Sequence, residues 1–572
     1  MGKNLGNKYR KQQITQKIIV LCLLLSTIPV TVFAVDTPQG TSAPPDAGAM
    51  LGQLEPKRQI TPIPHKPNLK VTTTKVQQEA LENYKKVKID KVVYKCPEFD
   101  ANALLQPLIE DRLHKRMSFD DITNLSNFSM QELRERGYAV NFVYPPAQEV
   151  NNKTLELNVV IGKYADIKLN NTSSLKDERI LAYTKNLRPG KLINTNKLEK
   201  VLLLLNDIPG VEAKAALEPG KKPGSSNLVV NVRDLEKQGG YIYADDYGNR
   251  STGRFRYGID YHFNNVSHRG DQVDLSYLTT GKDLNNYLLR YSIPVGNDGA
   301  IARTVFSHMN YQLGYKYDFL HGDGLANTLE LGVSVPFYRT QNHSVFGDFA
   351  YRHRALSDGL FDGQLSAQKS SDSFQLETHG YERGKKDSLT YSLSHTIGHL
   401  SLDNTFAQEQ DTVLDSADWY NKSNALVYYI HQFDNRWQVH VSLNGQLGWK
   451  NLDSSEDFYI GGAEGVRAFP QGETGGDSGM LGTLEVRYAT GIPGLQLTAF
   501  IDGGRVYYNR NDDLIEGSNV RNLAGAGLGL IYSKYRDWYA KFDWATPWGN
   551  HYSKLQNEKV HNTYWFKLVK QF

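Results

Sequence analysis

The stretch Trp437-Gln-Val-His-Val-Ser-Leu-Asn-Gly-Gln-Leu-Gly-Trp449 decides the fold. Trp437, Val439, Val441, Leu443, Leu447 and Trp449 share one parity, while Gln438, His440, Ser442, Asn444 and Gln446 share the other. Successive side chains of a strand point to opposite faces, so the segment has one apolar and one polar face. The same alternation runs through Met480 to Ala489, Leu495 to Tyr508, Leu523 to Tyr532, Trp538 to Thr546 and His561 to Phe572. In the last of these, Tyr564, Phe566, Leu568 and the aromatic Phe572 share a face. A sheet with one face in lipid must close on itself, because hydrocarbon satisfies no open strand edge.

The pattern extends back to about residue 235. Tyr257, Ile259, Tyr261 and Phe263 alternate with Arg256, Gly258, Asp260 and His262, and Val273, Leu275 and Tyr277 do the same with their neighbours. At about 20 residues per strand with its connection, residues 235–572 predict sixteen antiparallel strands in a transmembrane β-barrel. Short links around Gly491 to Gly494 and Lys534 to Asp537 fit periplasmic turns, and the longer links fit outer loops. The 49 glycines and 34 tyrosines suit tight turns in the wall and aromatic girdles at its rims.

Upstream, residues 87–234 carry the order strand, helix, helix, strand, strand twice. The first copy, 87–163, reads as Val87 to Tyr94, Ala101 to Leu113, Phe119 to Arg136, Tyr138 to Tyr144 and Thr154 to Ile161. The second, 164–234, reads as Tyr164 to Leu169, Lys176 to Thr184, Thr195 to Asn206, Val211 to Glu218 and Ser226 to Val232. A helix stripe such as Leu198, Val201, Leu202 and Leu205 can cover one face of a three-stranded sheet, giving two α+β modules in tandem.

Residues 1–34 read as a leader: Lys3, Lys8, Arg10, Lys11 and Lys17 precede an apolar run, and Val32 and Ala34 occupy the small-residue positions that signal peptidase reads. A single membrane anchor is the alternative, for a run barely long enough to span. Residues 35–86 form a Pro- and Gly-rich linker with a short helix at Ala47 to Gln59 and another at Lys75 to Tyr84. Loss of Cys22 with the leader leaves Cys96 alone, with no intrachain disulfide and no cysteine metal site. Lys plus Arg (65) nearly balances Asp plus Glu (62), which gives no electrostatic footprint for nucleic acid.

A sixteen-stranded wall encloses a wide lumen, and something should block it. The longest late loop, 451–479, holds seven glycines between Phe458 and Gly479, which suits a hairpin folded in a confined space. Arg467 is the one cation of that stretch, and if buried it needs a carboxylate. Outward Leu495, Leu497, Ala499 and Ile501 put Phe500, Asp502 and Gly504 inside, so Asp502 is the candidate partner. An exposed Arg467 with Asp502 facing pore water stays open on the residues alone.

With these residues in view, the chain resembles the outer-membrane transporters of two-partner secretion, the hemolysin secretion/activation family that includes filamentous hemagglutinin transporters, within the Omp85 superfamily. Val466-Arg467-Ala468-Phe469 matches the family's Val-Arg-Gly-Tyr/Phe loop core, with Ala468 in place of glycine. Phe500-Ile501-Asp502-Gly503-Gly504 matches its Phe-x-Asp-x-Gly strand motif. Asp245 to Gly253 resembles the entry to the first barrel strand, and Gly137 to Gln148 the end of a polypeptide-transport-associated (POTRA) domain. Ala47 to Gln53 resembles the helix that plugs the resting pore. Tyr564, Phe566, Leu568 and Phe572 resemble the signal read by the barrel assembly machinery, with Lys570 in place of an apolar residue.

The resemblance implies two periplasmic POTRA domains, a plug helix and a Gram-negative outer-membrane barrel. Its implied work is export of one large protein bearing an N-terminal secretion domain, through a monomeric pore, with no cofactor. Implied contacts are outer-membrane lipid and, during biogenesis, assembly machinery and periplasmic chaperones. The rival readings are an assembly factor of the same superfamily and, further off, a passive porin. For an enzyme the residues offer little: His395 and His399 lie four apart in an alternating strand and read as lumen or loop decoration, and no His-Glu-x-x-His motif occurs.

Overall fold

The computed structural model describes residues 44–54, 69–71, 86–222, 224–511, 518–549 and 552–572. The leader at 1–34, the helix expected at Lys75 to Tyr84 and the last residues of the helix expected at Ala47 to Gln59 lie outside the described residues.

Sixteen strands form a closed antiparallel barrel in which each pairs with its chain neighbours, from Gln238–Asp245 to Thr563–Gln571. Closure joins the first strand to the last over Tyr241↔Gln571 to Asp245↔Lys567. Alternation sorts the wall as the pleat requires: Leu393, Ile397, Leu497 and Ile501 are exposed on the outer face, while Phe500 and Asp502 are buried on the inner one. The opening segment forms the strand Trp437–Gly448, and Trp449 already belongs to the following loop. His395 is exposed on the outer face that Leu393 and Ile397 share, so it does not decorate the lumen. No described helix is long and apolar enough to cross a membrane, and strands do the crossing.

In the first module, the sheet of Lys91–Lys95, Thr154–Ile161 and Asn141–Tyr144 is covered by the helix Phe119–Glu135. That helix starts at a capping box between Ser118 and Asp121 and stops just before Gly137, whose φ of 92° only glycine adopts freely. Three elements differ from the sequence expectation. The strand expected at Val87 to Tyr94 breaks at Asp90, so that Val87–Ile89 pairs with Lys115–Met117 and Lys91–Lys95 pairs with Thr154 to Asn158. The helix expected at Ala101 to Leu113 is α-helical only to Leu105 and continues as 3-10 turns, because Pro107 supplies no N–H. The strand expected from Tyr138 starts at Asn141, whose side chain bonds back to the Tyr138 carbonyl at 2.5 Å.

The second module packs Leu198, Leu202 and Leu205 of the helix Thr195–Asn206 and Ile180 of Asp177–Thr184 onto Val211, Ala213, Ala215, Leu228, Val230 and Val232. Its sheet has four strands rather than three, because linker residues Leu69–Val71 pair in parallel with Val211–Pro219, Leu69 opposite Ala215. The module docks on the barrel's turns. Arg339 forks onto Asp207 at 2.7 and 2.8 Å, and Arg179 and Asn297 cross the junction to the carbonyls of Pro294 and Ala182.

Candidate functional site

The loop between Gly448 and Ser478 folds inward as a hairpin. Its legs pair through Phe458 N–H to Gly476 O at 2.8 Å and Ile460 N–H to Thr474 O at 3.1 Å. Its tip turns through Val466 N–H to Ile460 O at 2.6 Å, with Gly462 at a φ of 112°. Phe458, Ile460, Val466, Ala468 and Phe469 then bury themselves against Leu481, Phe500, Val506, Leu523 and Ala545 of the wall.

Arg467 stands at the centre of this contact. Its guanidinium forks onto Asp502 at 2.8 and 2.9 Å, donates to Glu485 at 2.8 Å, and reaches Asp543 at 3.4 Å. The same guanidinium lies 3.2 Å from the centroid of the Phe500 ring, a close cation–π contact. The three carboxylates would overcharge the site, but Arg487 and Lys541 hold Glu485 and Asp543 at 2.7 and 2.9 Å, so three cations meet three anions. The loop backbone is pinned as well: Asp502 accepts from Arg467 N–H at 3.1 Å, Trp565 Nε1 donates to the Arg467 carbonyl at 2.7 Å, and Thr563 Oγ1 donates to the Ala468 carbonyl at 2.9 Å. Gly504 meets Ile460 of the loop, where a Cβ would stand 3.1 Å from its Cδ1.

Two further anchors went unread in the sequence. Glu456, on the entry leg, accepts from Arg354 at 2.5 Å, pairs with Lys422 at 2.6 Å and accepts from Tyr420 at 3.1 Å. Glu473, on the exit leg, pairs with Arg521 at 3.1 Å and accepts from Ser553 at 2.5 Å and from Lys554 N–H at 2.8 Å. The only sequence signal was a carboxylate inside a glycine-rich loop, since the cations lie on strands far away in the chain.

The helix Ala47–Leu54 lies inside the barrel between this loop and the wall. Asp46 caps it by accepting from Ala49 N–H at 2.8 Å, and Asp358 of the wall accepts from Ala47 N–H at 2.7 Å. Lys369 ties helix to loop, 3.4 Å from Asp46 and 2.6 Å from Asp453. Gly48 lets the helix sit on Ser454 and Ser455, where a Cβ would come within 2.6 Å of the Ser455 nitrogen. Met50 fills a buried patch with Met309, Tyr311, Leu313 and Tyr317.

On the last strand, Tyr564, Phe566, Leu568 and Phe572 are exposed, while Trp565 turns inward onto Tyr247. Lys570 is ion-paired with Asp537 and lies over the Trp538 ring, 5.1 Å from its centroid. Asp348, Glu377 and His379 bring ligand-type atoms within 4.8 Å of one another on the inner wall. There Asp348 faces His379 at 2.7 Å and Arg303 at 3.5 Å.

With barrel, loop and helix so arranged, the comparison with known families is decisive: residues 224–532 match the family described as haemolysin secretion/activation protein ShlB/FhaC/HecB. The chain belongs to that family. Residues 87–162 separately match the ShlB-type POTRA domain. A curated relative, the heme/hemopexin transporter protein HuxB of Haemophilus influenzae, is 26% identical over 482 residues, covering 82% of this chain and 84% of HuxB. Among solved structures, CdiB from Escherichia coli superposes with a TM-score of 0.69 at 17% identity, covering 87% of this chain and 93% of that one. CdiB from Acinetobacter baumannii gives 0.65 at 17% identity over 99% and 98%. These two likenesses concern the fold. The chain is therefore an outer-membrane transporter of two-partner secretion, with its barrel in the outer membrane and its POTRA domain in the periplasm.

Proposed function

We propose that this transporter captures one large, unfolded partner protein in the periplasm through its two modules, the second acting as a second POTRA domain, and threads it through the barrel to the cell surface. An extended secretion domain on the partner can add to the modules by backbone pairing, a mode tolerant of side-chain variety. The helix Ala47–Leu54 acts as the resting plug, and the loop tip acts through Val466, Arg467, Ala468 and Phe469 against Phe500, Asp502 and Gly504. The observation that supports this reading most is the helix lodged inside the barrel and tied to the loop base through Lys369.

Folding of the partner outside the cell supplies the directional bias, so transport needs neither a cofactor nor bond chemistry. The pore works as a monomer. The outward aromatic face of Tyr564, Phe566, Leu568 and Phe572 serves as the assembly signal, with Lys570 accommodated by Asp537. Assembly machinery and periplasmic chaperones act during biogenesis, and lipid surrounds the finished wall. Heme or hemopexin handling, as named for HuxB, and CdiB-type export are two candidate settings for the cargo.

The test is electrical. Deletion of residues 47–54 should raise single-channel conductance in planar bilayers while the barrel stays heat-modifiable on gels. Unchanged conductance would remove the plug from the scheme, and an equally open parent channel would favour a porin.

A further inference from the structure

Ala468 stands where the family loop motif has glycine, and the wall residue facing it is itself a glycine. The residue beneath its methyl group is Gly525, on the strand Val520–Ser533. A Cβ built on Gly525 would come closer to the Ala468 Cβ than 3.0 Å, a separation that real side-chain carbons do not adopt, and 3.1 Å from the Thr546 carbonyl. Ala468 is fully buried and has no positive φ, so the methyl costs the loop no backbone strain; it needs only room.

The tip cannot yield that room by moving. Its backbone is held on one side by Trp565 Nε1 and Thr563 Oγ1, on the carbonyls of Arg467 and Ala468. Asp502 holds the Arg467 N–H and guanidinium on the other. A displacement that relieves a methyl overlap at residue 468 therefore drags Arg467 off its carboxylates.

We propose that Gly525 is the positioning residue that seats the loop tip, and that Ala468 and Gly525 form a complementary pair whose single methyl group sits on the loop rather than on the wall. Gly525 is the register partner of Asp502 on the neighbouring strand, and the atom its Cβ position meets first is the Ala468 methyl, so it acts by setting the seat of the loop. The inference rests on the proposed role of the anchored loop in secretion.

The experiment compares secretion of the partner protein by cells carrying the parent, Ala468→Gly, Gly525→Ala, the double variant, and Arg467→Met, all scored per heat-modifiable barrel in the outer membrane. Gly525→Ala should lower secretion roughly tenfold or more, the scale of an overpacked buried contact. The double variant returns the methyl to the same space from the other side and should recover to within about threefold of the parent. Secretion by Gly525→Ala within about twofold of the parent, or a double variant no better than Gly525→Ala, overturns the pairing. If Gly525→Ala fails to assemble, assembly itself becomes the readout: recovery in the double variant supports the pairing, and no recovery overturns it. Should Arg467→Met secrete normally, the role of the loop falls instead, which separates the two failures.

Discussion

In the second module Leu198, Leu202 and Leu205 lie against Val211, Ala213 and Val230, an apolar core to which the Asn206 side chain adds two uncharged hydrogen bonds with the Ala213 backbone. In the barrel, the loop is equally buried but is held by charge at four places: Asp453 with Lys369, Glu456 with Arg354 and Lys422, Arg467 with Asp502, Glu485 and Asp543, and Glu473 with Arg521. The difference follows from the surroundings. A module in the periplasm can expel water from one closed core, and apolar contact then stabilises without demanding one orientation. A loop in a lumen that must at times hold water and a passing chain gains orientation from paired charges, which water can take up again when they part.

The comparison breaks first at the loop tip. Arg467→Met leaves Asp502 buried without its fork, and loss of one partner from a buried pair costs about 3–5 kcal/mol. The expected outcome is a barrel that still assembles and shifts on gels, a loop tip newly open to thiol labelling at an introduced cysteine, and secretion reduced to a small fraction of the parent. A tip that stays protected in Arg467→Met would show that the apolar cluster of Phe458, Ile460 and Phe469 holds the loop unaided.

The next effect belongs to the module. Leu205 is fully buried among the other core residues, and truncation to alanine costs about 2–5 kcal/mol, according to how far the core collapses. In the detergent-solubilised full chain, Leu205→Ala should speed hydrogen exchange across residues 164–232 and leave the barrel strands protected. Equal acceleration in the barrel would mean that the junction through Arg339 and Asp207 makes the two regions one cooperative unit.

The same contrast explains what was legible in the sequence. Period-two alternation marks lipid against lumen on every long strand, so Trp437–Gly448 and Leu495–Tyr507 stand out without any partner being known. The helix Thr195–Asn206 is equally plain, since a run of leucines at helical spacing follows Asn194, whose side chain accepts from Lys197 N–H. Within the loop, one arginine among glycines announces that a carboxylate is needed, and lumen parity points to Asp502. Glu485 and Asp543 share the guanidinium but lie on other strands, where nothing local distinguishes them from any lumen carboxylate. Glu456 meets Arg354 across 102 residues of chain, a pairing set by barrel closure alone. The strand Leu69–Val71 was hidden for another reason: three residues just after Pro67 carry too short a period to separate strand from linker.

The smallest effect tests the apolar side of the comparison at its one flaw. Tyr164 is buried in the core of the second module, and its hydroxyl has no hydrogen-bond partner among the described residues. Burial pushes its pKa up from 10.0 to about 12. The neutral phenol is thus the form the fold prefers, and its contribution is complete below about pH 10, where the unfolded chain also keeps the proton. Between about 10 and 12 the unfolded chain ionises while the folded one resists, so stability falls as pH rises, by about 1 kcal/mol at pH 11. Tyr164→Phe removes an unsatisfied polar group and should be neutral or slightly stabilising at pH 8. At pH 11 it should unfold at a higher urea concentration than the parent, as read by proteolysis of the module in the full chain. Parallel urea midpoints for the two proteins from pH 8 to pH 11 would show that the hydroxyl reaches water, and that the module's core is less closed at Tyr164 than at Leu205.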